Sequence, residues 1–154
     1  MFQEIIPLQD TNGSNIIALQ IENEYGSYGN DKAYLNHLRE TMLQYGAQVP
    51  FFTSDGNNGN MLSGGTLPDA YKTLNFGSHA KTAFDILKQI QPDLPKTCME
   101  FWCGWFDHFG ERHHRRNASQ VAREMKELID QNANLNIYMF HGGTNFHFWA
   151  GDNF

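Results

Sequence analysis

Apolar residues along the chain recur at two periods, and the period changes from segment to segment. Ile16 to Ile21 is β-branched and apolar, which predicts a strand; Gln20, Glu22 and Glu24 fall on one of its faces, Leu19 and Ile21 on the other. Tyr34, Leu35, Leu38, Met42 and Tyr45 follow at helical spacing, with Asp31 as the cap in front and Gly46 as the stop. A second strand is expected over Val49–Ser54, closed by Asp55-Gly56, and a Gly/Asn loop over Asn57–Gly65. A short third strand is expected at Asn75-Phe76-Gly77, then a helix marked by Ala80, Ala83, Phe84, Leu87 and Ile90 and ended by Pro92 and Pro95. Lys96–Trp102 predicts a fourth strand, with Cys98, Glu100 and Trp102 on one face. Val121, Ala122, Met125, Leu128 and Ile129 mark a last helix, started by Asn117 or Ser119, and Leu135–Phe140 a fifth strand. Residues 1–8 look like the tail of an element, and Asp10 to Ser14 is a turn cluster.

Strands alternating with helices predict a parallel sheet with crossover helices. The polar and aromatic clusters fall just after the strands, where α/β barrels keep their chemistry. Two of these strands, the first and the fourth, deliver a glutamate at their C-terminal ends, Glu24 and Glu100. Three positions apart in a closed eight-stranded ring, they face each other across the mouth; in a flat sheet they would diverge. A complete barrel needs about 250 residues, and this chain has 154. The expected fold is therefore α/β, a partial (β/α)8 TIM barrel comprising about strands four to eight, with residues 1–154 as one domain and the missing strands N-terminal.

Composition narrows the class. With 40% hydrophobic and 14% aromatic residues the chain can build a core. A net charge of −6 argues against nucleic acid as a partner. No run approaches the ~18 apolar residues of a membrane span. Cys98 and Cys103 lie either side of Glu100 on one segment, a poor geometry for a mutual disulfide, and lack a second ligand pair for zinc. Reduced cysteines and the absence of a basic region followed by an apolar run at Met1 favour a cytoplasmic setting.

The candidate chemistry is the carboxylate pair. Glu100 sits in Met99-Glu100-Phe101-Trp102-Cys103-Gly104-Trp105-Phe106, an aromatic and nearly uncharged stretch. A carboxylate among apolar groups is costly unless paired, hydrogen-bonded or functional. Glu22 is expected to point into the barrel and pair with a neighbour. The Gly56–Gly65 stretch lacks the Gly-Lys-Ser/Thr of a phosphate loop. His108, His113 and His114 stand among Arg112, Arg115 and Arg116, which disfavours a metal. His141 follows the fifth strand and either lines the pocket or packs beneath it. Asn117-Ala118-Ser119 is a glycosylation sequon, usable only in a secreted eukaryotic chain.

Ile21-Glu22-Asn23-Glu24-Tyr25-Gly26-Ser27-Tyr28, Glu100-Phe101-Trp102 with Gly104-Trp105-Phe106-Asp107-His108, and Gly142-Gly143-Thr144-Asn145-Phe146 together resemble glycoside hydrolase family 35, the β-galactosidase family. Phe51–Gly56 fits between them, and the match spans essentially the whole chain. The resemblance implies an (α/β)8 barrel with its acid/base on strand four and its nucleophile on strand seven. It implies that Glu24 is the acid/base, Glu100 the nucleophile, and Asn23 a ligand near the sugar 2-hydroxyl. Trp102 takes an aromatic position lining the sugar site, and Tyr25, His141, Asn145 and Phe146 are the further substrate-binding candidates. The function implied is retaining hydrolysis of terminal β-galactosides without metal or cofactor, with the charge on Glu100 raising the pKa of Glu24. The partner is a β-galactoside or oligosaccharide, and open barrel edges would permit self-association. The family's first three strands, which carry much of the contact to the sugar's other hydroxyls, and its following β-rich domains have no counterpart in this sequence. The alternatives are an inactive barrel fragment and a non-catalytic carbohydrate-binding module using its aromatic loops.

Overall fold

The computed structural model describes residues 1–108 and 110–143. Its centre is one five-stranded sheet, entirely parallel, with the strands side by side in chain order. The strands are β1 (Leu19–Gln20), β2 (Phe51–Gly56), β3 (Tyr71–Phe76), β4 (Thr97–Phe101) and β5 (Asn134–Ile137). Helices α1 (Phe2–Ile5), α2 (Lys32–Gln44), α3 (Gly59–Gly65), α4 (Ala80–Ile90) and α5 (Ala118–Asp130) complete it. Sequential neighbours in a parallel sheet require a crossover after each strand, and the result is a curled half-barrel, part of an α/β TIM barrel.

The helices begin where side chains can serve their first free N–H groups. Asp31 Oδ1 accepts from the N–H groups of Ala33 and Tyr34 at 2.9 and 3.2 Å, and Asn117 Oδ1 accepts from Ser119 N–H at 2.9 Å. Helix α4 has no such cap of its own; α5 lends carboxylates instead, Glu124 to His79 N–H and Glu127 to Lys81 N–H. The outer face of the sheet packs against α4 and α5 in a core of Leu74, Phe76, Phe84, Leu87, Phe101 and Leu128, in which Phe76 and Phe84 meet edge to face at 5.5 Å. A second cluster joins Ile21, Leu35, Leu67 and Ala70.

Several expectations are corrected. Residues 59–65 are helix α3 rather than loop, because Asn58 Oδ1 accepts from Met61 N–H at 2.9 Å and starts a turn that the glycine content hides. The first strand shrinks to two residues: Ile16 bonds to Leu8 and Asp10 instead of joining the sheet, and past Ile21 the φ values of 59° and 53° at Glu22 and Glu24 leave the extended region. The third strand is longer than expected and starts at Tyr71. The fifth ends at Ile137, and Tyr138–Phe140 form an exposed turn. In β4 the faces differ from simple alternation. Leu74 pairs with Cys98 but Asn75 with Glu100, so β4 carries an extra residue there. Cys98 and Phe101 consequently both enter the outer core, and Cys98 does not share the face of Glu100.

Candidate active site

Glu24 follows β1 at the C-terminal end of the sheet, on a turn held from three sides. Its own N–H donates to Ser54 O at 2.8 Å on β2. Two residues on, Gly26 N–H donates to Asp55 Oδ1 at 3.0 Å. Gly26 itself lies so close to α3 that a Cβ there would stand 1.8 Å from Met61 O, which excludes any side chain. A left-handed non-glycine residue costs about 1–3 kcal/mol and persists only where its surroundings impose it. The turn's consequence is that Glu24 is pitched toward β3, where Asn75 Nδ2 donates to its Oε1 at 2.9 Å.

Glu100 comes up on β4, on the other side of β3. Trp102 Nε1–H donates to its Oε2 at 3.1 Å. Burial first, and then the charge of Glu24, push the Glu100 carboxyl above the ordinary glutamate range; the Trp102 N–H works against both. The repulsion expected between the two glutamates is thus present at Glu100. Asn75 is the cross-strand partner of Glu100 and the hydrogen-bond donor to Glu24, so one residue of β3 stands between the two carboxyls.

Around the pair, Asn23 is exposed beside it, its Oδ1 accepting from Gln20 Nε2 at 3.0 Å. Tyr25 turns toward α2: its hydroxyl accepts from Asp31 N–H at 3.3 Å and its ring packs on Tyr34 at 5.2 Å, which braces the Glu24 turn. Glu22 pairs with neighbours, accepting from the hydroxyl of Tyr34 on α2 and from Asn23 N–H. Trp102 starts an aromatic run: it meets Trp105 edge to face at 5.5 Å, and Trp105 stacks on Phe106 at 4.9 Å. Arg116 donates to Trp102 O and Gly77 sits against both, where a Cβ would come within 2.7 Å of Trp102 O. His141 is exposed after the β5 turn. Asn145 and Phe146 lie outside the described residues.

Three residues of the site escape the sequence reading: Ser54, Asp55 and Asn75, each at most 2% exposed. Ser54 and Asp55 gave a faint signal as polar residues closing a strand that opens with Phe51-Phe52, whereas Asn75 gave none.

The whole chain, residues 1–154, matches the model of glycosyl hydrolases family 35. The chain belongs to that family. Its family 35 relatives include a beta-galactosidase of Xanthomonas manihotis, 45% identical over 154 residues, covering 99% of this chain and 25% of that protein. Beta-galactosidase-1-like protein 3 of Homo sapiens is 39% identical over 151 residues, covering 98% of this chain and 23% of that protein. A beta-galactosidase of Bos taurus is 40% identical over 151 residues, covering 96% and 23%. This family 35 chain therefore spans about a quarter of the length of the curated relatives it matches, and the partial barrel is the architecture such a span encloses.

Proposed function

We propose that the chain carries the catalytic glutamates of a retaining β-galactosidase, with Glu100 as nucleophile and Glu24 as acid/base. The observation that carries the reading is Asn75, which touches Glu24 and pairs in register with Glu100, so that both carboxyls share one end of one sheet. Names of relatives at 37–45% identity supply the substrate class.

The double displacement follows from the two environments. Ionised Glu100 attacks the anomeric carbon; the Trp102 N–H favours its charged form. Glu24 protonates the departing oxygen as the glycosidic bond breaks, leaving a galactosyl ester on Glu100. Glu24, now a carboxylate, takes a proton from water, whose oxygen attacks the same carbon and frees Glu100. Asn23, exposed beside the turn, takes the role of ligand to a sugar hydroxyl in this reading. Trp102 and the aromatic run behind it offer flat apolar faces for sugar C–H groups. Tyr25 supports the acid/base by bracing its turn, and His141, exposed after β5, is assigned to the substrate together with Asn145 and Phe146.

The test is hydrolysis of an aryl β-galactoside by the chain and by Glu100→Gln. Activity is expected in the first and its loss, by at least about a thousandfold, in the second. Equal rates in both would overturn the nucleophile assignment. An inactive chain that still binds galactosides after removal of both glutamates would favour a carbohydrate-binding module instead.

A further inference from the structure

Each glutamate of the pair receives one hydrogen bond, to one oxygen, among the described residues. Trp102 Nε1 reaches Oε2 of Glu100, and Asn75 Nδ2 reaches Oε1 of Glu24. The second contact has a chain of command behind it. Asn75 is 1% exposed, and its own Oδ1 accepts from the Ser54 hydroxyl at 2.6 Å. The opposite orientation of the amide would set two acceptor oxygens, Asn75 Oδ1 and Glu24 Oε1, against each other. Ser54 thus decides which way the amide points. The same residue accepts from Glu24 N–H through its carbonyl, so β2 positions the Glu24 backbone directly and its carboxyl through Asn75.

The geometry points to Ser54 and Asn75 as a positioning relay that holds Oε1 of Glu24 and leaves Oε2 as the oxygen that carries the transferred proton. This rests on the acid/base reading of Glu24 given above. A carboxyl accepting a fixed N–H at one oxygen protonates at the other, because a proton on Oε1 would compete with the amide hydrogen for the same space. The amide is also neutral, so it fills the gap between two like charges without adding a third. Neither residue touches the sugar in this scheme; both act through Glu24.

Two measurements decide it. In the ¹⁵N-labelled chain, one Asn75 side-chain amide proton should resonate downfield and exchange slowly. Glu24→Ala and Ser54→Ala should each remove that signature, and Glu100→Gln should leave it. A signature indifferent to Glu24→Ala would overturn the relay. In hydrolysis, Ser54→Ala should lower kcat/KM about tenfold or more for a phenyl β-galactoside, whose leaving group needs the proton. For a dinitrophenyl β-galactoside, whose leaving group does not, the loss should be under about threefold. Ser54→Thr keeps the hydroxyl and should restore the phenyl substrate. Equal losses on both substrates, or no rescue by Thr, would reduce Ser54 to a packing role and sink the proposal. A chain that hydrolyses neither substrate yet keeps the amide signature would overturn the galactosidase reading and leave the relay standing.

Discussion

Single side chains set the working charge of the site, and two of them yield measurable pH effects. Trp102 donates to Glu100 and holds down a pKa that burial and Glu24 raise. Trp102→Phe keeps the ring surface and removes the donor, so the acidic limb of kcat/KM should move up by about one pH unit. A limb that stays in place would mean that Glu100 does not have to be ionised for catalysis. Asp55 lies beneath the Glu24 turn, and burial pushes its carboxyl up to about 6 from an ordinary 3.8, with Glu24 adding to the rise and Gly26 N–H opposing it. Between those values the folded chain keeps a proton that the unfolded chain has released, so stability falls as pH rises from about 4 to about 6. The difference is about 3 kcal/mol. Asp55→Asn keeps an acceptor for Gly26 and cannot ionise. Its stability relative to wild type should therefore improve by up to about 3 kcal/mol between pH 4 and pH 7.5 in urea unfolding. A gap that is the same at both pH values would show that Asp55 does not titrate in this window. The glutamates were legible in the sequence because each stands in a distinctive stretch, Asn23-Glu24-Tyr25-Gly26 and Glu100-Phe101-Trp102. Asn75 was not: a lone Asn in a strand announces nothing until its two neighbours in space, Ser54 and Glu24, are known.

Elements place these side chains through their ends more than through their middles. Helix α3 is the clearest case. Lys32 Nζ donates to Ser63, Gly64 and Thr66 carbonyls at 2.6, 2.8 and 2.7 Å, and Gly65 leaves room for Asp55, whose Oδ1 would be 1.7 Å from a Cβ there. Gly65→Ala must displace Asp55 and with it the Gly26 contact that shapes the Glu24 turn. A loss of about 2–3 kcal/mol is expected from unfolding curves, together with faster amide exchange at Gly26. Unchanged exchange at Gly26 would show that the turn does not depend on Asp55. The helices that were legible had a periodic apolar face, as in α2 behind Asp31, α5 behind Asn117 and α4 without a cap of its own. The one that was not lacked that face. Helix α3 is Gly59-Asn60-Met61-Leu62-Ser63-Gly64-Gly65, nearly half glycine, and is held by tertiary contact instead of propensity. The bulge in β4 was invisible because alternation is a local rule, whereas a bulge is defined by the registers of β3 and β5.

At the scale of the whole molecule the sheet has two ends. A closed barrel pairs every strand on both sides; among the described residues β1 has only β2 and β5 only β4. The outer sides of β1 and β5 therefore carry strand N–H and C=O groups that no further strand of the sheet takes up. Apolar side chains stand exposed near both, with Ile17 at 72% and Phe140 at 85% exposure. Edges of this kind recruit other strands, and the nearest supply in a solution of this chain is a second copy. Sedimentation velocity should show mass rising with concentration through the micromolar range, and Ile17→Lys and Phe140→Lys should each reduce it, because a charge on the edge must be desolvated to pair. Both positions are exposed and outside the core clusters, so the circular dichroism of the variants should match that of the parent chain. A chain that stays monomeric at high concentration, or lysine variants that associate as before, would show that the edges are satisfied within the molecule and that its incompleteness is not a source of self-recognition.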